Sequence, residues 1–422
     1  MRNIYRYTMM SIGITLVLAA PLMATDGYFS SGFGVIQEGQ GGAGVALPQD
    51  SLAAATNPAG MVFVGNRFDF GLTLFRPNRS GTITGNQLPP GYPNVNGTYD
   101  ASKIANFGIP ELGFNHLFSP KLSVGVSMYG NGGLNTSYRS PIPLLGSSNA
   151  GVDLQQLFIA PTLAYKVTKH QGFGVSLNIG YQRFAATGLE NFANSNYSSD
   201  PTRVTNRGYD SAEGVGVRVG WLGEVTKTVS LGATFQSKTY MGKFNQYQGL
   251  FAEQGGFDIP ANFAGGVAVK VHPKVTVLLD AERILYSGVK SIADSDANQT
   301  PLGSANGPGF GWHDITEVKA GLDVHVSHAL TLRGGYNHSG LPFDGTQTFF
   351  NLLAPAVTQE HVTVGATWKL QNGKEINVNY LHAFNGTVNG TTSIPPTAGG
   401  GNANLSMYQN AVGVSFGWNR NK

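Results

Sequence analysis

The sequence predicts an all-β protein: a 14-stranded antiparallel transmembrane β-barrel with an N-terminal hatch, or plug, inside the lumen. Three observations predict it. Segments that alternate apolar and polar residues recur along most of the chain, and residues 25–66, which lack this pattern, precede the first of them. The composition agrees, because 58 glycines, 12% charged residues and no cysteine among 422 residues are unlike a cytoplasmic α/β enzyme.

The first residues carry the pattern of a secretory signal peptide. Arg2 and Arg6 precede an apolar run over residues 9–20, and a small residue, Ala24, follows. The run is shorter than the roughly 20 apolar residues that a spanning helix needs, although a membrane anchor is the alternative. We therefore predict removal of residues 1–24, with the exact cleavage site left open.

Residues 25–66 are predicted to fill the lumen of the barrel. They are rich in glycine and alanine and precede the first predicted crossing. Side chains fill barrels of about eight strands, whereas barrels of about sixteen enclose a water-filled channel, so a barrel of fourteen needs a plug if it is to stay closed. Within this segment Asp50 is predicted to cap a short helix over residues 51–55, which Asn57 and Pro58 end.

Residues 67–422 are predicted to form the barrel with long extracellular loops. In the last strand the lipid-facing set is Tyr408, Val412, Val414, Phe416 and Trp418, and the lumen-facing set is Gln409, Ala411, Gly413, Ser415 and Gly417. Fourteen such segments lie near residues 67–76, 109–118, 121–129, 153–166, 172–184, 213–225, 228–238, 259–271, 275–286, 315–326, 329–338, 360–370, 375–384 and 407–418. Short turns alternate with long linkers, as in outer-membrane barrels. The alternative, a soluble β-sandwich, typically has strands of about five or six residues.

Two parts of the chain resemble the FadL-type long-chain fatty acid transporters and their toluene-channel relatives. The later one comprises residues 259–263, 332–336 and Pro342. The earlier one resembles the family's hatch, and its motif comprises Gly41, Gly42, Asp50, Asn57, Pro58, Ala59 and Gly60. The resemblance implies a fourteen-stranded barrel, a hatch that closes its lumen, and lateral release of substrate through a gap at a kink in the third strand.

The segment 129–136 resembles the end of that kinked third strand. Glycines and bulges are the usual means by which a strand loses its pairing. The candidates for a lateral opening are therefore Gly130, Gly132 and Gly133. The alternative is a flexible base of a loop.

Two of the predicted outer loops are unusually apolar. Phe244, Tyr247 and Phe251 have the spacing of the apolar face of a short helix. Exposed apolar patches usually mark binding surfaces, so the candidates for capture of cargo are Phe244, Tyr247, Leu250, Phe251, Phe349 and Phe350. The alternative is that these side chains only pack the loops against each other.

A cargo that carries a carboxylate needs a cationic partner inside the protein, because an unpaired buried charge is very unfavourable. Strand parity places Arg218, Lys319 and Arg333 in the lumen as candidates for binding its head group. Each has an alternative role in an internal salt-bridge network with Asp280, Glu282, Glu317 or Asp323.

The predicted function is passive transport of hydrophobic small molecules, most simply long-chain fatty acids, across the outer membrane of a Gram-negative bacterium. The alternatives are uptake of aromatic hydrocarbons, a general porin, and a lipid hydrolase. A hydrolase is disfavoured because Asn337, His338 and Ser339 are adjacent on a strand and point to opposite faces. We expect no catalytic residues, no cofactor and no metal site.

The expected partners are the hydrophobic substrate, outer-membrane lipid and lipopolysaccharide, and the barrel assembly machinery. The residues 419–422 that follow Trp418 are polar where an aromatic terminus is usual, which bears on recognition by that machinery. A net charge of +3 with no Lys/Arg run argues against nucleic acid. We expect a monomer.

Overall fold

The computed structural model describes residues 26–420, so the predicted signal peptide lies outside the described residues. These residues form one closed antiparallel sheet with fourteen long strands and two short ones, Gly97–Asp100 and Tyr240–Met241. The long strands are β1 (Arg67–Thr84), β2 (Phe107–Ser119), β3 (Leu122–Ser137), β4 (Gly151–Lys166), β5 (Gln171–Thr187), β6 (Asp210–Glu224), β7 (Val229–Gln236), β8 (Asn262–His272), β9 (Val275–Ile284), β10 (Ile315–His325), β11 (Leu330–Ser339), β12 (Glu360–Lys369), β13 (Lys374–Val388) and β14 (Asn402–Asn419).

The barrel closes between its first and last strands. β1 pairs with β14 from Arg67 opposite Asn419 to Thr84 opposite Asn402, and every other long strand pairs with its neighbours in sequence. Pairing of the first strand with the last closes the sheet into a barrel, the form of sheet that can span lipid. The predicted fold class is confirmed. No helix in residues 26–420 is long and apolar enough to cross a membrane.

The wall alternates between lipid-facing and lumen-facing side chains as predicted. In β14 Val412 is 50% exposed and Phe416 43%, whereas Ala411 and Ser415, which directly precede them and face the lumen, are buried. The same alternation holds in β6, where Val215, Val217 and Val219 are exposed. An apolar outer surface of this kind is what a bilayer requires of a barrel wall.

Several strands extend further toward the long loops than the sequence pattern predicts, by the largest margins in β1, β3 and β14. β1 continues to Thr84 rather than residue 76, β3 to Ser137 rather than 129, and β14 begins at Asn402 rather than 407. These extensions include polar residues such as Asn78 and Asn404. A strand that rises above the bilayer does not need to face lipid, so it loses the apolar alternation on which the prediction relied.

Residues 26–66, here called the N-terminal segment, are almost entirely buried and contact lumen-facing residues on strands around the barrel. The segment contains one α-helical turn, α1 (Val35–Glu38), and two 3-10 helices, Ala53–Ala55 and Pro58–Val62. The helix predicted over residues 51–55 is thus shorter than expected. Asp50 accepts a hydrogen bond from the Leu52 N–H at 2.9 Å and so closes a turn before it.

Candidate functional site

Buried carboxylates on the barrel wall bind the backbone of the N-terminal segment. Asp280 of β9 accepts from the N–H groups of Gly44 (2.7 Å) and Val45 (2.9 Å). Asp69 of β1 accepts from the N–H and hydroxyl of Ser51, at 2.9 and 2.5 Å. Because the segment is irregular, its buried N–H groups need such acceptors. Lumen-facing acids are therefore part of what fastens the segment.

The Asn57–Pro58 corner fits against two glycines of the wall. Asn57 Nδ2 donates to the carbonyl of Trp221 at 2.9 Å. A Cβ at Gly220 would lie 2.0 Å from Asn57 Oδ1, and a Cβ at Gly174 would lie 2.3 Å from the Pro58 carbonyl carbon. Any larger residue at these wall positions would push the corner away.

The remaining motif residues shape the segment itself. Gly41 and Gly42 have positive φ angles of 74° and 78°, and the Gly41 N–H donates to Thr363 Oγ1 at 2.8 Å. Ala59 donates its N–H to Asn57 Oδ1, which starts the second 3-10 helix. Gly60 allows a close approach, since a Cβ there would lie 2.6 Å from the Pro48 Cβ.

Asp50 links the packing of the segment to pH. Burial, followed by the negative charge of Asp69, raises the pKa of Asp50 to about 7, although Arg67 opposes the shift. In the unfolded chain an aspartate side chain has a pKa of about 3.9. The folded protein therefore retains a proton that the unfolded chain releases, and the stability that this provides is lost as the pH rises from about 4 through 7.

We expect amide hydrogen exchange in residues 50–56 to be faster at pH 8 than in Asp50→Asn at the same pH. The amide keeps the acceptor for Leu52 without gaining a charge. At pH 5 the two proteins should exchange alike. Comparison at each pH removes the intrinsic pH dependence of exchange, and equal rates at pH 8 would exclude a role for the Asp50 charge.

A β-bulge interrupts β3 in its glycine-rich part. Gly130 pairs with Leu157 of β4 and Gly132 with Gln156, so Asn131 is the extra residue. The bulge changes which residues face inward. Thr136, beyond it, donates its hydroxyl to the Leu353 carbonyl of a loop.

From Tyr129 onward, through the bulge and beyond it, β3 is not paired with β2. Their pairing runs from the turn to Leu112 opposite Met128, although β2 begins at Phe107 and β3 continues to Ser137. At the outer end Ser137 is hydrogen-bonded to residues 101 and 103. We call the region between residues 104–111 and 129–136 the wall gap.

The N-terminal segment covers the free edge of β3 in this gap. The Ser30 N–H donates to the Asn131 carbonyl at 3.0 Å, and the Gly133 N–H donates to the Tyr28 carbonyl at 2.9 Å. A Cβ at Gly132 would lie 1.8 Å from that Tyr28 oxygen. The three glycine candidates, Gly130, Gly132 and Gly133, thus lie where β3 is not paired with β2. The N-terminal segment takes the place of β2 there.

The apolar loop side chains are buried or, for Leu250 and Phe350, partly buried, instead of forming an exposed patch. Phe244 and Tyr247 pack on Phe184, with ring centroids 5.6 and 4.8 Å apart, and Phe349 packs beside Phe350. They do not lie on one helix, since only Asn245–Tyr247 forms a 3-10 turn there. The expectation of a surface patch is corrected, because loops of this length fold inward over the barrel mouth and bury their rings.

Part of this loop core surrounds an apolar cavity. Three of the capture candidates, Leu250, Phe251 and Phe350, line it. Further lining residues are Leu145, Phe184, Phe192, Leu302 and Phe310. Binding sites for small molecules usually have mostly apolar walls. The cavity is therefore suited to a hydrophobic small molecule.

The loop core continues into the N-terminal segment. The Tyr28 ring lies 5.4 Å from Tyr286 and 6.0 Å from Trp312, centroid to centroid. The Tyr286 hydroxyl accepts from the Tyr28 N–H and donates to the Asp26 carbonyl at 2.6 Å. One chain of contacts thus joins the loops, the start of the segment and the wall gap.

The three candidates for head-group binding differ in their partners. Lys319 lies 2.7 Å from Glu317 and 3.0 Å from Glu282. Arg333 lies 3.2 Å from Asp323. Lys319 and Arg333 are therefore members of internal ion pairs, the alternative to head-group binding.

Arg218 is bound by neutral oxygens, at 2.7 Å from Gln236 Oε1 and 3.1 Å from the Thr56 carbonyl. The ion pairs found among residues 26–420 do not include it. It joins the wall to the N-terminal segment just before Asn57.

Sequence reasoning missed Asp69 and Arg79, both lumen-facing in β1. Charged residues at the inward positions of a strand are a signal that could have been followed. Their partners, however, lie far away in sequence and are seen only in the fold.

Comparison with known proteins gives a consistent result. The family model described as outer membrane protein transport protein (OMPP1/FadL/TodX) matches residues 22–421. Solved structures with the same fold include the toluene transporter TodX of Pseudomonas putida, at 20% identity and a TM-score of 0.68, covering 92% of this chain and 99% of that one. A FadL homologue of Pseudomonas aeruginosa matches at 16% identity and a TM-score of 0.71, covering 93% and 99%. No curated protein matches the sequence.

Proposed function

The chain belongs to the OMPP1/FadL/TodX family of outer-membrane transport proteins, and from this premise we propose that it carries long-chain fatty acids passively into the cell. It is an outer-membrane β-barrel channel for hydrophobic compounds. Transport, and not catalysis, is the function of the family, and we propose that this chain has no enzymatic activity.

The observation that carries the proposal is the apolar cavity among the loops. At roughly 0.8 kcal/mol per methylene, keeping about a dozen methylenes out of water is worth on the order of 10 kcal/mol. The apolar lining of the loop cavity, which includes Leu250, Phe251 and Phe350, provides part of that gain to the methylenes that contact it. A water-filled pore does not. We therefore assign capture of the cargo to this cavity.

Residues 26–66 act as the hatch in this proposal. Their buried hydrogen bonds to lumen-facing residues of several strands place them across the bore, which argues against flux of polar solutes. A small displacement of Tyr28 and its neighbours would connect the loop cavity with the wall gap. Cargo then leaves sideways into the membrane and does not need to pass the packed lower part of the lumen.

An aromatic hydrocarbon is the second candidate for the cargo. Five phenylalanines line the loop cavity, namely Phe184, Phe192, Phe251, Phe310 and Phe350. Aromatic rings pack favourably against one another, by about 0.5–1.5 kcal/mol beyond the area they bury. Two of the solved relatives, from P. putida and Ralstonia pickettii, are described as toluene transporters. The R. pickettii protein is 17% identical, with a TM-score of 0.64, and the match covers 92% of this chain and 98% of that one.

Uptake assays in a strain that lacks the protein test the proposal. Wild-type and deletion cells are compared for initial uptake of fatty acids of several lengths and of toluene. We expect faster uptake of the fatty acids by wild-type cells. Selective uptake of toluene would favour the second candidate, and equal uptake of every compound by both strains would overturn transport.

A charge in the loop cavity should disable capture. We expect Leu250→Asp to slow uptake roughly tenfold or more, because burying an unpaired carboxylate beside the cargo costs several kcal/mol. Leu250→Met, which keeps the volume and the apolar character, should behave like the wild type. Normal uptake by Leu250→Asp, produced at the wild-type level, would remove the cavity from the route.

A further inference from the structure

A second cavity lies beside the wall gap. Its lining is mostly apolar and includes Phe75, Phe107, Leu134, Ala356 and Met407. Gly27 of the N-terminal segment and Gly133 of the bulged strand also line it. Among its lining residues, all within the described part of the chain, Arg79 is the only one with a charged side chain.

The Arg79 side chain reaches across the wall gap. Its Nη2 donates to the Ile104 carbonyl at 2.6 Å, on the β2 side, and its Nη1 donates to the side chain of Asn135 at 3.0 Å and to the Asn135 carbonyl, on the β3 side. The guanidinium carbon lies 5.9 Å from the centre of the Phe107 ring. The Nε is buried and has no hydrogen-bond partner.

Arg79 differs from the other buried arginine on its strand. Arg67 is paired with Asp69 at 2.8 Å and with Glu375. None of the ion pairs among residues 26–420 involves Arg79, although only 4% of its surface is exposed. Among residues 26–420 no carboxylate lies within 4 Å of the Arg79 guanidinium: Asp100 pairs with Arg139 at 2.7 Å, and Asp153 accepts from the Tyr209 hydroxyl at 2.5 Å.

A buried guanidinium that only neutral oxygens surround is unfavourable unless an anion joins it. An apolar cavity with one such cation matches an amphiphile that has a carboxylate at one end. We propose that Arg79 binds the carboxylate of the cargo at the wall gap, where the alkyl chain contacts the apolar lining of the adjoining cavity. This inference rests on the proposed transport function and assigns its head-group site to a residue other than Arg218, Lys319 or Arg333.

The head-group site predicts a difference between two probes of equal chain length. Cells that produce wild-type protein, Arg79→Gln, Arg79→Lys or Arg76→Gln are compared for initial uptake of dodecanoate and of 1-dodecanol, which has no charge. Arg76 is the matched control, because it is an exposed arginine three residues earlier on the same strand. Heat-modifiable migration on gels and equal amounts in the outer membrane verify folding.

We expect Arg79→Gln to lower dodecanoate uptake about ten- to a hundredfold, the range for loss of a charged hydrogen bond. Uptake of 1-dodecanol should change little, Arg79→Lys should keep part of the preference for dodecanoate, and Arg76→Gln should match the wild type. Equal loss of both probes would show that Arg79 only joins the strands, and no loss of either would also overturn the site. If wild-type protein accelerates neither probe, transport itself fails and the head-group site fails with it.

Discussion

Deleting residues 26–66 should convert a closed barrel into an open pore. Proteoliposomes with the full-length protein are expected to swell in arabinose no faster than empty liposomes. Those with the deletion variant should swell at a rate similar to that of an open porin. The reason is that the segment makes the buried contacts with Asp69 and Asp280 across the lumen, and its deletion also removes Tyr28 from the loop aromatic cluster. A fourteen-stranded wall has too wide a bore for its own side chains to fill.

The deletion variant must first be shown to be a folded barrel, by its heat-modifiable migration. Residues 1–25 are kept in the variant, so its export signal is that of the full-length protein. A folded but impermeable variant would show that the loops close the barrel without the segment. In that case residues 26–66 would not be the hatch of this channel.

Deleting Asn131 alone should reduce uptake of cargo to the level of cells that lack the protein. Asn131 is the extra residue of the bulge, and its removal restores one-to-one pairing of β3 with β4 without moving the residues beyond it. The straightened outer part of β3 could then pair with residues 107–111 of β2, as adjacent strands of a closed barrel do. The wall gap, and with it the sideways exit, would be lost.

Asn131→Ala is the control for this deletion. It keeps the chain length, the bulge and the carbonyl that accepts from Ser30, and loses only the side-chain contact with Gln156 at 3.0 Å. We expect its uptake to be close to that of the wild type. Sustained uptake by the Asn131 deletion variant would contradict lateral release and would favour exit through the lower lumen. The swelling assay should show both variants to be closed to arabinose.

The fold and the orientation of the wall could be predicted from sequence because both are local properties. Lipid requires an apolar side chain at every second position of a crossing strand, so Val412, Phe416 and Trp418 reveal the lipid face without reference to any partner. The bulge was similarly indicated by the glycines near residue 130, because few residues other than glycine fit where a second stretch of backbone comes close to a strand. The strand ends were less predictable where β1 and β14 rise above the bilayer.

The candidate site was predictable only in part. The loop residues were selected for the property that matters, their apolar side chains, but Phe244 and Tyr247 support the cavity and do not line it, whereas Phe251 does. Which ring faces a cavity depends on how separate loops pack together. No spacing within one loop contains that information.

By itself, the sequence determined the number of crossings, the face that each strand turns to lipid, and the presence of residues before the first crossing that are unlike a strand. Only the tertiary structure decided which lumen charges are neutralised. Arg67 and Arg79 have the same residue type, strand and parity, yet one meets two carboxylates and the other lies across a gap with none. Electrostatic balance depends on distances between residues up to about 300 positions apart in the chain, which only closure of the barrel brings together.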